Sequence, residues 1–126
     1  CNKKLFIPLI DQENIKLIPS LIYDFNELAL GSLGIYQPKE EFYRLYSHNI
    51  LDLVVVRGVG FTEQGHRLGR GRGYYDRFLK KLNNNVISVG LAFEMQIVDE
   101  IPVERNDMPI DYIISEERII QVKKKD

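Results

Sequence analysis

The side chains best suited to chemistry are crowded into one stretch. Between residues 57 and 81 stand seven cations, Arg57, Arg67, Arg70, Arg72, Arg77, Lys80 and Lys81, against the carboxylates Glu63 and Asp76. That is a local +5 in a chain whose net charge is −1. Glycines at 58, 60, 65, 69, 71 and 73 are interleaved with them. Such a loop suits a phosphate, because glycine lets the backbone N–H groups approach closely and the guanidinium offers two parallel donors. Phosphate charge in turn calls for a hard cation such as Mg²⁺, which one or two carboxylates, phosphate oxygens and water can hold. Asp76, beside the loop, and Asp107, in a later polar loop, are placed for that work. Each also has a plainer reading, Asp76 as a first-turn residue complementing a helix dipole and Asp107 as a turn residue. The plainer reading of the loop itself is a corner with solvated arginines.

The flanking elements are legible from apolar spacing. Residues 51–56 form a short, β-branched, nearly unbroken apolar run, as expected of a strand buried on both faces of a parallel sheet. From Tyr74 the apolar positions Tyr74, Tyr75, Phe78, Leu79 and Leu82 recur at helical spacing. Residues 83–85 are three asparagines that end the helix, and 86–92 read as a second buried strand. Strand, helix and strand make a βαβ unit with an expected right-handed crossover, and ligands of such sheets gather beyond the carboxyl ends of the strands. The loops after Val56, Ala92 and Pro102 are therefore expected to face one site.

The remaining stretches are weaker. Residues 3–10 predict a strand with Pro8 near its end, and 15–23 an edge strand carrying Pro19. Residues 24–30 predict a short helix capped by Asp24, 34–38 a loop, and 93–100 a short helix or turn. Residues 111–115 and 118–122 predict two last short strands. The fold class expected is α/β: a three-layer, open, mostly parallel sheet with helices on both faces, Rossmann-like and N-terminally truncated. The chain reads as a single domain over residues 1–126.

The string Gly65-His66-Arg67-Leu68-Gly69-Arg70-Gly71-Arg72-Gly73-Tyr74-Tyr75-Asp76-Arg77 closely resembles the G-x-R-L-G-x-G-x-G-Y-Y-D-R signature of the 5-formyltetrahydrofolate cyclo-ligase (5,10-methenyltetrahydrofolate synthetase) family. Residues 4–8, KLFIP, resemble that family's early strand ending in proline, residues 34–38, GIYQP, its G-I-x-E-P segment, and residues 106–111 its closing D-x-P-x-D element. The resemblance implies ATP-dependent closure of 5-formyltetrahydrofolate to 5,10-methenyltetrahydrofolate through a phosphorylated formyl intermediate, releasing ADP and phosphate with Mg²⁺. It implies ATP binding by Arg67, Leu68, Gly69, Arg70, Gly71, Arg72, Gly73, Tyr74 and Tyr75. Arg70, Gly71, Arg72, Gly73 and Tyr74 would border the folate, Arg70 and Tyr74 would be catalytic, and Asp76 and Asp107 would hold the metal. Either tyrosine could also be a core anchor of the helix. Arg57 stands where the family has proline, and Thr62 where it has aspartate. The chain corresponds to the family's C-terminal two-thirds, and its start on Cys1, almost directly in a strand, suggests a missing upstream segment.

Composition is consistent with this. The 126 residues are 44% hydrophobic and 28% charged, the balance of a soluble globular protein. A single cysteine excludes an internal disulfide and a cysteine-cluster zinc site. No membrane or nucleic-acid partner is expected, and the expected state is a cytoplasmic monomer. The competing reading from another class is a truncated, non-catalytic module that grips a nucleotide or polyanion.

Overall fold

The computed structural model describes residues 2–31, 34–69, 73–102 and 108–122. The chain forms two compact units, residues 1–50 and 51–126. Among the described residues no helix is long and apolar enough to cross a membrane.

The first unit is built from hairpins. Strand β1 (Leu5–Asp11) pairs antiparallel with β2 (Lys16–Ile22), and the Asp11 carboxylate closes the turn by accepting from the Asn14 backbone N–H and side-chain amide. Pro8 lies in the middle of β1 rather than near its end, directly opposite Pro19. Both prolines fit because these positions turn their nitrogens away from the partner strand; the neighbouring outward groups are used elsewhere, Ile10 N–H by Gln37 Oε1 and Leu21 N–H by the Arg44 carbonyl. The helix expected over 24–30 is corrected to one 3-10 turn, Phe25–Glu27, followed by strand β3 (Leu28–Leu30). Asp24 caps as expected, accepting from Asn26 N–H at 2.7 Å. The helix stops because Glu27 is buried in an ion pair with Arg44 at 2.7 Å while Leu28–Leu30 pair with β4 (Tyr36–Pro38), a strand where a loop was expected.

The second unit carries a four-stranded sheet in the order β10-β9-β8-β5. Strands β5 (Leu53–Val56), β8 (Ile87–Leu91) and β9 (Tyr112–Ile114) are parallel, and β10 (Ile119–Gln121) runs antiparallel at the edge beside β9. Helix α1 (Tyr74–Lys81) joins β5 to β8, as the βαβ reading requires. One sheet face buries Val56 and Ile113 with Leu79 of the helix, Phe61 of the loop and Ile110, and the partly buried Ile120 packs against them. Phe61, Ile110 and Ile113 are wholly buried, so the glycine-rich loop is anchored in the same core as the sheet. The class is α/β, and its one α-helix among the described residues is the one that follows the loop.

Candidate functional site

Beyond Val56 the chain does not run free. A two-residue hairpin, β6 (Gly60–Phe61) with β7 (Arg67–Leu68), organises the loop, and Val59 N–H donates to the Leu68 carbonyl at 2.7 Å. The hairpin turn is tied by Thr62, whose N–H donates to the His66 carbonyl at 3.0 Å and whose hydroxyl accepts from His66 N–H at 3.3 Å. Gly65 closes it at φ +87°, and its carbonyl accepts from Ile110 N–H at 2.9 Å. The loop after β8 is fastened to the same structure. Gln96 donates its side-chain amide to the Gly58 and Val59 carbonyls at 3.3 and 3.2 Å, and Val98 N–H donates to the Phe61 carbonyl at 2.8 Å. Loops leaving the carboxyl ends of β5 and β8 therefore meet, as the topology demands. The expected third contributor, residues 103–107, lies outside the described residues, and with it Asp107.

Of the expected site residues, Arg67, Tyr75 and Asp76 are brought together. Arg67 turns inward: its side chain is 4% exposed, Nη1 donates to the Arg57 carbonyl at 2.8 Å, and the guanidinium lies 5.0 Å from the Tyr75 ring centroid. Its Nη2 is 3.7 Å from Asp76 Oδ1, an ion pair that joins the loop to the first turn of α1. Burial pushes the Tyr75 phenol above the ordinary tyrosine range, against the Arg57 and Arg67 charges that pull it down. Tyr75 also packs on the core cluster, as an anchor would. Tyr74 is buried, and its hydroxyl has no hydrogen-bond partner among the described residues. Leaving such a group unsatisfied costs roughly 1–3 kcal/mol, which a ligand or water hydrogen bond would relieve.

Gly73 takes φ +74° at the N-cap of α1, a conformation L side chains avoid, so the chain enters the helix without a capping side chain. The first N–H groups of a helix lack intrahelical partners, and their dipole favours an anion. Leu68 and Gly69 lead out of β7 toward this turn. Arg70, Gly71 and Arg72 lie outside the described residues. Asp76 offers one partly exposed carboxylate in the first turn, which fits Mg²⁺ held mainly by phosphate oxygens and water. No cluster of three or more His, Cys, Asp or Glu forms among the described residues.

The sequence from 1 to 116 matches the model of the 5-formyltetrahydrofolate cyclo-ligase family. The chain belongs to that family. Its curated relatives include the 5-formyltetrahydrofolate cyclo-ligases of Mus musculus, 36% identical over 88% of this chain and 53% of the relative, and of Escherichia coli, 29% identical over 93% and 65%. The solved structure of Aquifex aeolicus 5,10-methenyltetrahydrofolate synthetase superposes with a TM-score of 0.79 at 29% identity, covering 98% of this chain and 61% of that one. The chain thus spans about half to two-thirds of the length of the relatives it matches.

Set against the cyclo-ligase signature, the two departures prove local. Thr62 is 2% exposed and ties the hairpin turn with its hydroxyl, a bond an aspartate oxygen at that position could also accept. Arg57 receives Arg67 through its backbone carbonyl, which proline would supply equally. Gln96 is the contributor that sequence reading missed. Its one signal is its place three residues after Phe93, whose N–H its side chain also accepts at 2.8 Å; nothing local announces the reach back to Gly58.

Proposed function

We propose that this chain is the phosphate- and folate-handling part of an ATP-dependent 5-formyltetrahydrofolate cyclo-ligase, corresponding to the C-terminal two-thirds of its family. The observation that carries the reading is the junction of loop and helix, where buried Arg67 meets Asp76 in the first turn after an N-cap glycine, and the Tyr74 hydroxyl of the same turn is buried without a partner among the described residues. The reaction it supports starts from a formyl oxygen that leaves poorly. That oxygen attacks the γ-phosphorus of ATP and ADP departs. The neighbouring secondary amine of the folate then attacks the formyl carbon, loses its proton, and phosphate leaves with the former formyl oxygen. Catalysis of this kind is positioning and charge neutralisation.

Residues 67–75 would wrap the ATP phosphates, with Arg70 balancing the charge of the transferred group and 70–74 bordering the folate. Arg67, buried under the loop, would hold it from beneath through Arg57 and Asp76. Tyr74 would satisfy its hydroxyl on the formyl group. Asp76 and Asp107 would hold Mg²⁺, which when bound neutralises phosphate oxygens. On this reading the protein would act in the cytoplasm as a monomer, without a nucleic-acid or membrane partner. A second reading is a non-catalytic nucleotide or polyanion module, in which the cation- and glycine-rich stretch grips phosphate without turnover.

The test mixes the chain with 5-formyltetrahydrofolate, ATP and Mg²⁺ and follows methenyltetrahydrofolate absorbance. An ATP- and Mg²⁺-dependent rise that falls about 100-fold or more in Arg70→Ala and Asp76→Asn supports the ligase. Salt-sensitive nucleotide binding that is indifferent to folate, with no turnover, selects the binding module.

A further inference from the structure

The turn between β9 and β10 carries side chains that the proposed chemistry leaves unused. It is tightly built. Ser115 N–H donates to the Arg118 carbonyl at 2.9 Å, and the Ser115 hydroxyl accepts from the Glu117 and Arg118 N–H groups at 3.1 and 3.2 Å. From this base two side chains reach the loops around the site. Glu116 Oε1 accepts from Glu94 N–H at 2.7 Å. Arg118 takes two loops at once: Nη1 is 2.6 Å from Glu63 Oε1 in the turn of the β6–β7 hairpin, and Nε is 2.5 Å from Glu94 Oε1 in the 3-10 turn after β8. That 3-10 turn ends on Gln96, whose amide holds the Gly58 and Val59 carbonyls. One guanidinium therefore joins the turn that precedes Arg67 to the turn that grips the start of the loop.

Folding stability does not account for this arrangement. The Arg118 side chain is 44% exposed and that of Glu63 55%, and ion pairs open to solvent contribute little to folding. Their effect is on position, because a planar guanidinium with one carboxylate on Nη1 and another on Nε fixes both relative to a single rigid group. We infer that Arg118 is a positioning residue, which clasps the hairpin turn to the β8 loop and so holds the β6–β7 end of the glycine loop in the shape that receives nucleotide phosphates. The inference rests on the ATP-binding reading of that loop. The sign of charge separates the clasp from a general field. ATP is an anion, so through the field alone loss of Glu63 would tighten its binding and loss of Arg118 would weaken it. Through the clasp either loss frees the same turn, and both weaken binding.

The experiment titrates the 126-residue chain with a non-hydrolysable ATP analogue and Mg²⁺ by calorimetry. Hydrogen exchange of the free chain is followed at Thr62 and Val98, whose N–H groups donate to the His66 and Phe61 carbonyls. Arg118→Gln and Glu63→Gln should each raise the Kd of the analogue about 3- to 10-fold and speed exchange at Thr62, with the melting temperature kept. The double variant should be no worse than the weaker single one, since both break one clasp. Arg118→Lys should recover part of the affinity, and Glu117→Gln, at an exposed carboxylate of the same turn, should leave it unchanged. Tighter binding by Glu63→Gln, additive losses in the double variant, or unchanged exchange at Thr62 in both single variants would overturn the inference and leave the ATP reading standing. No binding of the analogue by the unaltered chain would overturn that reading and the inference with it.

Discussion

Gly65 is where the loop geometry can be tested most sharply. It combines two demands, a backbone at φ +87° and a Cβ position 2.7 Å from the Ile110 carbonyl oxygen and 2.9 Å from Val122 Cγ1. Left-handed backbone costs a non-glycine residue about 1–2 kcal/mol, and forcing atoms into a packed site about 1–3 kcal/mol. Gly65→Ala should therefore destabilise the second unit by about 2–5 kcal/mol. Gly73→Ala is the internal control: φ is +74°, but the nearest atom, Arg77 Nε, is 3.9 Å away, so only the backbone cost of about 1–2 kcal/mol applies. The chain has no tryptophan, so urea unfolding would be followed by circular dichroism. Ile113→Ala, at a wholly buried site expected to cost about 2–5 kcal/mol, identifies the transition that belongs to this unit. With urea m-values of about 1–3 kcal/mol/M, Gly65→Ala should fall below the Gly73→Ala midpoint by on the order of 1 M. If the two alanine variants unfold together, contact with the Ile110 carbonyl is not what requires glycine, and the staple between the loop turn and residues 108–110 is refuted.

Three further outcomes follow from the same geometry. Gln96→Ala should cost about 1 kcal/mol in urea unfolding, because the amide serves two loop carbonyls, and should speed hydrogen exchange at Val59 and Val98; unchanged exchange would show the loops are held without it. The Tyr75 phenol should titrate above the ordinary tyrosine range by ultraviolet difference, and Arg57→Ala should move it higher still, since a nearby cation stabilises the phenolate; a downward move would contradict the placement of Arg57. Arg44 holds the Glu27 carboxyl below the usual carboxylate range, so the stability this pair contributes is present above the unfolded pKa and lost as pH falls through the folded one. Glu27→Gln should flatten the acid limb of the melting curve, and an unchanged limb would show that the pair contributes nothing to it.

The elements that position the site were legible where burial imposes one period over several residues. The Tyr74–Lys81 helix is of that kind. Leu53–Val56 and Ile87–Leu91 were read from unbroken apolar runs, and although all boundaries moved by only a residue or two, the expected burial on both faces is corrected for Leu53–Val56, whose Leu53 and Val55 are exposed. The first unit was read less well, because its signals are local and its outcome is not. Asp24 announces a helix start correctly, but the burial of Glu27 against Arg44, 17 residues on, converts the next residues to strand. Hairpin β6–β7 has two residues on each side, too few for any alternation to show.

The site divides along the same line. Which residues crowd the loop is a property of the string, and the signature from Gly65 to Arg77 suffices to find it. Which arginine faces inward is a property of the packing. Arg67 looks like its neighbours in sequence, yet it pairs with Phe61 in the hairpin, and the Arg57 carbonyl, the Tyr75 ring and Asp76 receive it. A cation count of the loop therefore overstates the charge facing a ligand, since one guanidinium is 4% exposed and already paired with protein groups. The same burial fixes the pair, because the guanidinium beneath the loop lies 3.7 Å from the Asp76 carboxylate in the first turn of α1 and so ties loop to helix.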